Sequence, residues 1–209
     1  MTNEFLLQDR IQKIQQIIGK YGEENFYISF SGGKDSTVLS ALVDMALPDN
    51  KIPRVYANTG IELNMIRDFV FGLQAKDERI QTIKPTVPIK QMLENEGYPF
   101  KSKIHAHVVN LYQTSGFSNK MVNGYLGNRP DHWHSHTCPK ILQYQFTPEN
   151  NLKISDLCCV KMKEEPLINW AKENGKSIAI IGIMREEGGG GEPQIVCFFE
   201  EENLSNSNL

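Results

Sequence analysis

Residues 31–36, Ser-Gly-Gly-Lys-Asp-Ser, constrain this chain more than any other feature of its sequence. The apolar run 26–30 before them is typical of a buried strand, and apolar residues at helical spacing over 38–46 predict a helix after them. A loop in this position presents backbone N–H groups to an anion, and the helix N-terminus adds about half a positive charge. Gly32 and Gly33 suit this use, because glycine tolerates positive φ and lets a phosphate approach the backbone. The pattern predicts a phosphate-binding loop.

The side chains of this loop support the same interpretation. Ser31, Ser36 and Thr37 supply hydroxyl donors, and Lys34 supplies a mobile cation. Asp35 does not suit an anion site, and we interpret it as a residue that starts the helix, orients the loop or meets a metal. The alternative is a helix cap with accidental glycines, although six specified residues between a strand and a helix are less common than a Gly-Gly turn. The loop is not the Walker pattern, which needs Gly, four residues, then Gly-Lys-Ser/Thr.

Strands and helices alternate along the chain, which predicts an α/β fold with a parallel sheet and helices on both faces. The predicted strands are 26–30, 55–57, 80–83, 178–183 and the apolar run 195–199, and the predicted helices are 5–18, 38–46, 62–74, 89–96 and 160–174. Residues 97–150 break this alternation, and we interpret them as an irregular insertion with helices near 104–112 and 140–146. We expect one domain over 1–199 and a flexible tail over 200–209. Because ligands of such sheets bind at the carboxyl ends of strands, residues 31–36 and 58–60 are expected at the site.

Four segments resemble, in the same order, the motifs of one family. Residues 31–36 resemble the PP-loop shared by ATP pyrophosphatases and sulfonucleotide reductases, and 58–60, Asn-Thr-Gly, resemble the family's Asp-Thr-Gly, with Asn58 in place of the usual acid. Residues 158–167 resemble Cys-Cys-x-x-Arg-Lys-x-x-Pro-Leu, with Met162 in place of the arginine, and 182–187 resemble Gly-x-Arg-x-Glu-Glu. The matches cover about 25–190, and on them the chain resembles the phosphoadenosine phosphosulfate (PAPS) reductase family.

This resemblance implies a five-stranded Rossmann-like parallel sheet of the adenine nucleotide α-hydrolase type. It implies that the PP-loop grips phosphate or sulfate oxygens, that residues 58–60 lie along the adenosine, and that Lys163 and Arg185 face the anionic end of the ligand. Lys34, Asp35 and Arg185 are the candidate catalytic residues. The candidate nucleotide-binding residues are Ser29, Ser31, Gly32, Gly33, Lys34, Asp35, Ser36, Thr37, Asn58, Thr59, Gly60, Lys163 and Arg185.

Two of these assignments have structural alternatives. The fork of the Arg185 guanidinium suits phosphate, but an ion pair with Glu186 or Glu187 at the surface would also explain it. Lys163 would equally fit the solvated face of a helix.

The cysteines depart from the reductase pattern. A [4Fe–4S] cluster normally takes four thiolates, and adenylylsulfate reductases need a second Cys-x-x-Cys pair after the first. Only Cys197 follows the pair Cys158 and Cys159, so we do not expect an iron–sulfur cluster. The reductases also attack sulfate with a cysteine in a C-terminal tail, and residues 200–209 contain none. Cys197 lies in the apolar run 195–199, and a buried thiol is a poor nucleophile.

A histidine-rich segment offers a weaker hypothesis. His132, His134, His136 and Cys138 alternate along the chain, so an extended backbone would direct all four to one side. Zinc takes such ligands, but alternate residues of one segment rarely complete a tetrahedron alone. A polar loop lining the nucleotide pocket is the alternative interpretation.

The composition limits the classes of partner that the chain is expected to bind. The net charge of −3 does not support a general nucleic-acid binder, although nucleic acid stays open as a modification substrate. No apolar run reaches the roughly 18–20 residues that span a bilayer, and residues 1–4 lack the basic start of a secretory signal, so we expect a cytoplasmic protein without a membrane partner.

The predicted function is therefore that of an enzyme with ATP or PAPS as ligand, with Mg²⁺ where ATP is used, which activates a nucleotide or transfers sulfur to an unknown acceptor. Two alternatives are a thiol-dependent PAPS reductase that makes sulfite and a non-catalytic nucleotide-binding subunit of a larger complex. The sequence is also compatible with a homo-oligomer.

Overall fold

A computed structural model describes residues 3–128 and 137–182 of the 209-residue chain. They form two compact units: one comprises the described residues up to Pro85 and from Glu165 onward, and the other comprises Thr86–Glu164. In chain order the elements are α1 (Asn3–Tyr21), β1 (Phe26–Ser29), α2 (Lys34–Ala46), β2 (Arg54–Ala57), α3 (Asn64–Gln74), β3 (Ile80–Ile83), α4 (Ile89–Glu96), α5 (Lys103–Ser115), α6 (Lys120–Tyr125), α7 (Glu165–Glu173) and β4 (Ile178–Ile180).

The first unit is built on a parallel sheet, as the alternation of strands and helices predicts. The described strands lie in the order β3-β2-β1-β4, and every pair is parallel. Ile28 pairs with Arg54 of β2 on one side of β1 and with Ile180 of β4 on the other. The described sheet therefore has four strands where five are expected; the fifth predicted strand, 195–199, lies outside the described residues.

Helices cover both faces of this sheet. Phe26 and Ile28 of β1 pack with Ile18 of α1 and Val43 of α2 on one face. The alternate residue Tyr27 packs with Ala171 of α7 on the other face. Side chains alternate between the faces of a strand, so a run that is apolar at every position is buried on both sides, as a central parallel strand requires.

The strand order reverses at β1. From β1 the chain passes to β2 and then β3 on one side, and returns to place β4 on the other side. Ligand crevices of open α/β sheets form at such a reversal, outside the carboxyl ends of the strands. The loop that joins β1 to α2 lies at this point.

A buried arginine lies at the amino end of β2, at the end of the sheet opposite the loop that joins β1 to α2. Arg54, at the start of β2, is fully buried, and its guanidinium donates to Asp44 at 2.6 Å and to Asn50 at 2.8 Å. Arg79 donates to the same Asp44 at 2.8 Å and to Asp77 at 2.7 Å. Burial acts to raise the pKa of Asp44, but hydrogen bonds from Asn50 and Arg79 and the nearby positive charges outweigh it, so the pKa lies below its usual range.

The second unit has its own core. Ala106, Val108 and Val109 of α5 pack with Val122 and other side chains of that unit. The helix predicted near 104–112 is confirmed as α5, whereas the segment near 140–146 is a 3₁₀ helix, Lys140–Phe146. The helix predicted over 160–174 begins as a π-helix, Val160–Glu164, at the end of this unit, and α7 of the first unit follows it. In neither described range is any helix long and apolar enough to cross a membrane.

The arginine cluster generates a stability prediction. Asp44→Ala leaves the buried guanidinium of Arg54 without its carboxylate, so we expect the free energy of unfolding to fall by about 2–4 kcal/mol, less than for a fully buried pair because Asp44 reaches solvent. Urea denaturation measures this loss. The control is Asp68→Ala, which removes an exposed pair with Arg67 and should cost less than about 1 kcal/mol. Equal losses in the two variants would contradict the proposed role of Asp44.

Candidate functional site

Gly32 sets the conformation of the loop after β1. It has φ of +71°, in the left-handed region that glycine adopts without strain. A Cβ at this position would lie 2.5 Å from Cγ2 of Val70 and 3.0 Å from Cγ2 of Ile66, so the loop backbone packs directly on α3. The expectation of positive φ is wrong for Gly33, which has φ of −80° and starts α2 from an extended backbone. A residue with a side chain could therefore adopt the backbone conformation of Gly33 without strain.

The serine hydroxyls stabilise the loop through hydrogen bonds within it. Ser36 is buried, and its hydroxyl donates to the Gly33 carbonyl at 3.0 Å and accepts from the Ser31 N–H at 3.2 Å. The hydroxyls of Ser31 and Ser36 lie 3.0 Å apart, and Thr37 donates to the Gly33 carbonyl at 2.9 Å. Ser36 and Thr37 thus hold the backbone of the first helical turn, and their hydroxyl hydrogens are used within the loop.

The N-terminus of α2 presents those N–H groups. The first intrahelical bond runs from the Thr37 N–H to the Gly33 carbonyl at 3.1 Å, so the N–H groups of Lys34, Asp35 and Ser36 precede it. In the described part of the chain no side chain caps this end at Gly33. The side chain of Lys34 is 78% exposed, and its ammonium lies 3.8 Å from the Asp35 carboxylate. A helix end with a mobile cation and open donors suits an oxyanion.

The turn after β2 is held by a carboxylate that the sequence analysis did not select. Glu62 accepts from the Thr59 hydroxyl at 2.6 Å, from the Thr59 N–H at 3.2 Å and from the Gly60 N–H at 3.0 Å. The Gly60 N–H also donates to Oδ1 of Asn58 at 3.1 Å. Because a carboxylate already accepts these donors, the Thr59 and Gly60 N–H groups are not open to a ligand as those of α2 are.

The electrostatics of Glu62 follow from these bonds. Burial acts to raise its pKa, but the hydrogen bonds from Thr59 and Gly60 favour the ionised form and hold the pKa below its usual range.

Tyr56, two residues before Asn58, has a buried hydroxyl without a hydrogen-bond partner among the described residues. Burial, and then the charge of Glu62, raise the pKa of this phenol, so it stays protonated.

The remaining predicted residues are distributed over both units. Ser29 ends β1, and Gly182 follows β4, where a Cβ would lie 3.0 Å from the Asp35 carbonyl oxygen. The first turn of α2 thus packs against the chain leaving β4. Arg185 lies outside the described residues, and Lys163 belongs to the π-helix that ends the second unit.

The structure does not assemble a metal site from the described candidates. Cys138 is buried in the core of the second unit, where burial raises the pKa of its thiol, and His132, His134 and His136 lie outside the described residues. His105 is buried between Tyr125, at 3.0 Å, and Gln145, at 2.6 Å. Within the described ranges no group of three or more His, Cys, Asp or Glu side chains is placed to hold a metal ion.

The vicinal cysteines begin a helical segment of the second unit. Cys158 is half-buried and Cys159 is exposed, and both line a depression of about 220 Å³ at the start of α5. Burial and the neighbouring Cys159 raise the pKa of the Cys158 thiol, which therefore does not favour the reactive thiolate.

A larger depression lies at the amino ends of β2 and β3 in the first unit. Its volume is about 550 Å³, and residues 48–51 and 74–79 line it. Three basic side chains in it, Lys51, Lys76 and Arg79, are balanced by Asp49, Asp77 and Glu78. Since Arg79 already donates to Asp44 and Asp77, this depression suits an anion less well than the N-terminus of α2 does.

Comparison with protein-family models gives no match to the chain, and comparison with curated protein sequences gives none either. Assignment to the PAPS reductase family therefore rests on the four motifs and stays a prediction.

The packing of Gly32 generates a second stability prediction. Gly32→Ala places a methyl group against Val70 in a strained backbone, and we expect the free energy of unfolding to fall by about 2–4 kcal/mol. Gly33→Ala is the matched control. Its Cβ would meet only the rotatable Ser31 hydroxyl, at 3.3 Å, and the change should stay below about 1 kcal/mol. Chemical denaturation of both variants decides the point, and a larger loss for Gly33→Ala would refute this loop geometry.

Glu62 generates a pH prediction. Its pKa is lowered in the folded chain, so its contribution to stability is present above the usual pKa of a glutamate, about 4.3, and is lost as pH falls through the lower folded value. We expect wild type to exceed Glu62→Gln in unfolding free energy at pH 7, and the difference to shrink towards pH 3. Urea titrations over this range measure it. The exposed Glu78→Gln should follow wild type throughout, and a Glu62 difference that grows on acidification would be inconsistent with this account.

Proposed function

We propose that the chain binds an adenine nucleotide with its phosphate or sulfate end on the first turn of α2, and that it activates the nucleotide or transfers sulfur from it. The observation that carries this proposal is the position of the loop. It follows the central strand β1 where the strand order reverses, and Gly32 packs it onto α3 so that the N–H groups of α2 stay open. The motifs that resemble the PAPS reductase family support an adenine nucleotide as the ligand that carries this anion.

The residues present divide the task. The N–H groups of Lys34, Asp35 and Ser36 bind the anion, and Lys34 adds a charge-assisted hydrogen bond from a side chain that is free to move. Asp35 is the carboxylate that would share a Mg²⁺ ion with substrate phosphates if ATP is the substrate, because Mg²⁺ commonly takes one or two carboxylates together with phosphate oxygens. Arg185 completes the anion site in this proposal, as the family motif implies.

The two alternative functions differ in what they require of the thiols. A PAPS reductase needs an activated cysteine, and the raised pKa of the thiols of Cys158 and Cys138 does not favour a thiolate at these two described positions. A non-catalytic nucleotide-binding subunit needs only the loop and would bind the ligand without turnover.

A binding panel tests the proposal. Wild type, Lys34→Ala and Gly33→Val are titrated with ATP, ADP, adenylylsulfate and PAPS, each with and without Mg²⁺. Lys34→Ala removes one charge-assisted hydrogen bond, so we expect affinity to fall roughly ten- to a hundredfold. Gly33→Val places a side chain over the donors of α2 without backbone strain and should abolish binding.

Lys120→Ala is the matched control for this panel. Lys120 is also an exposed first residue of a helix, but the side chain of Asn119 accepts from the Met121 N–H there. Its removal should leave affinity within about twofold of wild type. If Lys34→Ala and Gly33→Val both fold and bind every nucleotide as wild type does, the loop is only a turn and the proposed function is wrong.

A further inference from the structure

Helix α3 and the turn before it carry a group of large apolar side chains that face solvent. Five of them over residues 61–71 are more than 40% exposed: Ile61, Leu63, Met65, Phe69 and Phe71. The opposite face of α3 packs into the core around Val70. Single exposed apolar side chains are common on any protein, but several on consecutive turns of one helix are typical of an interaction surface.

Gly72 occupies an exposed position of α3 where the backbone does not require a glycine. Its φ is not positive, and it lies inside the helix. A Cβ at this position would meet no described atom within 4 Å outside the backbone of its own helix. Glycine is the least favourable residue after proline in a helix interior, so alanine would suit the isolated chain better. The missing side chain is explained if another chain approaches α3 at this point.

Charged side chains of opposite sign flank Gly72 on the same side of the helix. Asp68 lies four residues before it and Lys76 four residues after it, and both are exposed. Ala75 keeps a helical backbone conformation beyond the end of α3, so Lys76 continues the same face. Such a face is complementary to itself when two copies meet antiparallel, because Asp68 then faces the Lys76 of the second copy and the reverse.

From these observations we infer that the outward face of α3 binds a second copy of this chain. The two helices pack antiparallel about a twofold axis between Phe69 and Gly72, so that the Phe69 ring of each copy lies over the Gly72 of the other. Met65 extends the apolar contact, and the pairs of Asp68 with Lys76 fix the register. Because one helix from each copy makes a small interface, we expect a dissociation constant on the order of micromolar.

This inference does not depend on the proposed function, because the residues that would contact the anion lie on α2. Sedimentation equilibrium over a series of protein concentrations measures the association. Gly72→Leu fills the gap that receives Phe69, so we expect the dissociation constant to rise about tenfold or more. Gly19→Leu is the matched control. Gly19 is an exposed glycine of α1 whose Cβ would also meet no described atom within 4 Å, and its replacement should change association less than about twofold.

A charge exchange tests the antiparallel register. Asp68→Lys alone and Lys76→Asp alone each place like charges opposite one another in both contacts, so each variant should associate about tenfold more weakly than wild type. An equimolar mixture of the two variants should associate nearly as wild type does, since every contact between the copies then joins an acid to a base. Recovery on mixing would not occur if these residues acted only on the stability of the single chain.

Three results would overturn the inference. A wild type that stays monomeric at every concentration would leave a different protein as the occupant of this face. Equal weakening by Gly19→Leu and Gly72→Leu would remove the role of the glycine gap, and a mixture that associates no better than its components would contradict the antiparallel register. If Gly72→Leu does not fold, the charge exchange decides the question.

Discussion

The contact between Gly32 and α3 is the constraint on which the rest of the site depends. Val70 and Ile66 lie so close to Gly32 that no side chain fits between them, and the positive φ of Gly32 turns the chain from β1 into α2 at that point. Val70 itself is fully buried, in a cluster with Phe30 and Tyr56. The hydrophobic core that holds the sheet together therefore also fixes the start of α2, and with it the direction of the open N–H groups.

The turn after β2 complements this arrangement with the opposite chemistry. At α2 the backbone donors are left open, whereas at β2 the carboxylate of Glu62 accepts them from within the chain. The N–H groups after β1 are therefore free to donate to an external anion. The N–H groups of Thr59 and Gly60 after β2 already donate to Glu62. This contrast favours the start of α2 over the turn after β2 as the position for an external anion.

Much of the sheet follows from the sequence, because runs that are apolar at successive positions identify strands buried on both faces. The same logic fails for Arg54, since nothing in the sequence around a strand residue shows that Asp44 and Asn50 will reach it. The sequence does not predict the φ of Gly33, because two adjacent glycines do not reveal which of them takes the left-handed conformation. Glu62 had a usable signal: Thr59 followed three residues later by a glutamate is the spacing of a capping box.

The central claim is that the anion of an adenine nucleotide contacts the backbone at the start of α2. The most direct measurement is an NMR titration of ¹⁵N-labelled protein with ATP and, separately, with PAPS, following the amide resonances. The account predicts that the amides of residues 33–36 shift most and at the lowest nucleotide concentration. Largest shifts at the amides of residues 49–51 and 74–79, which line the depression at the other end of the sheet, or in the second unit, would contradict it.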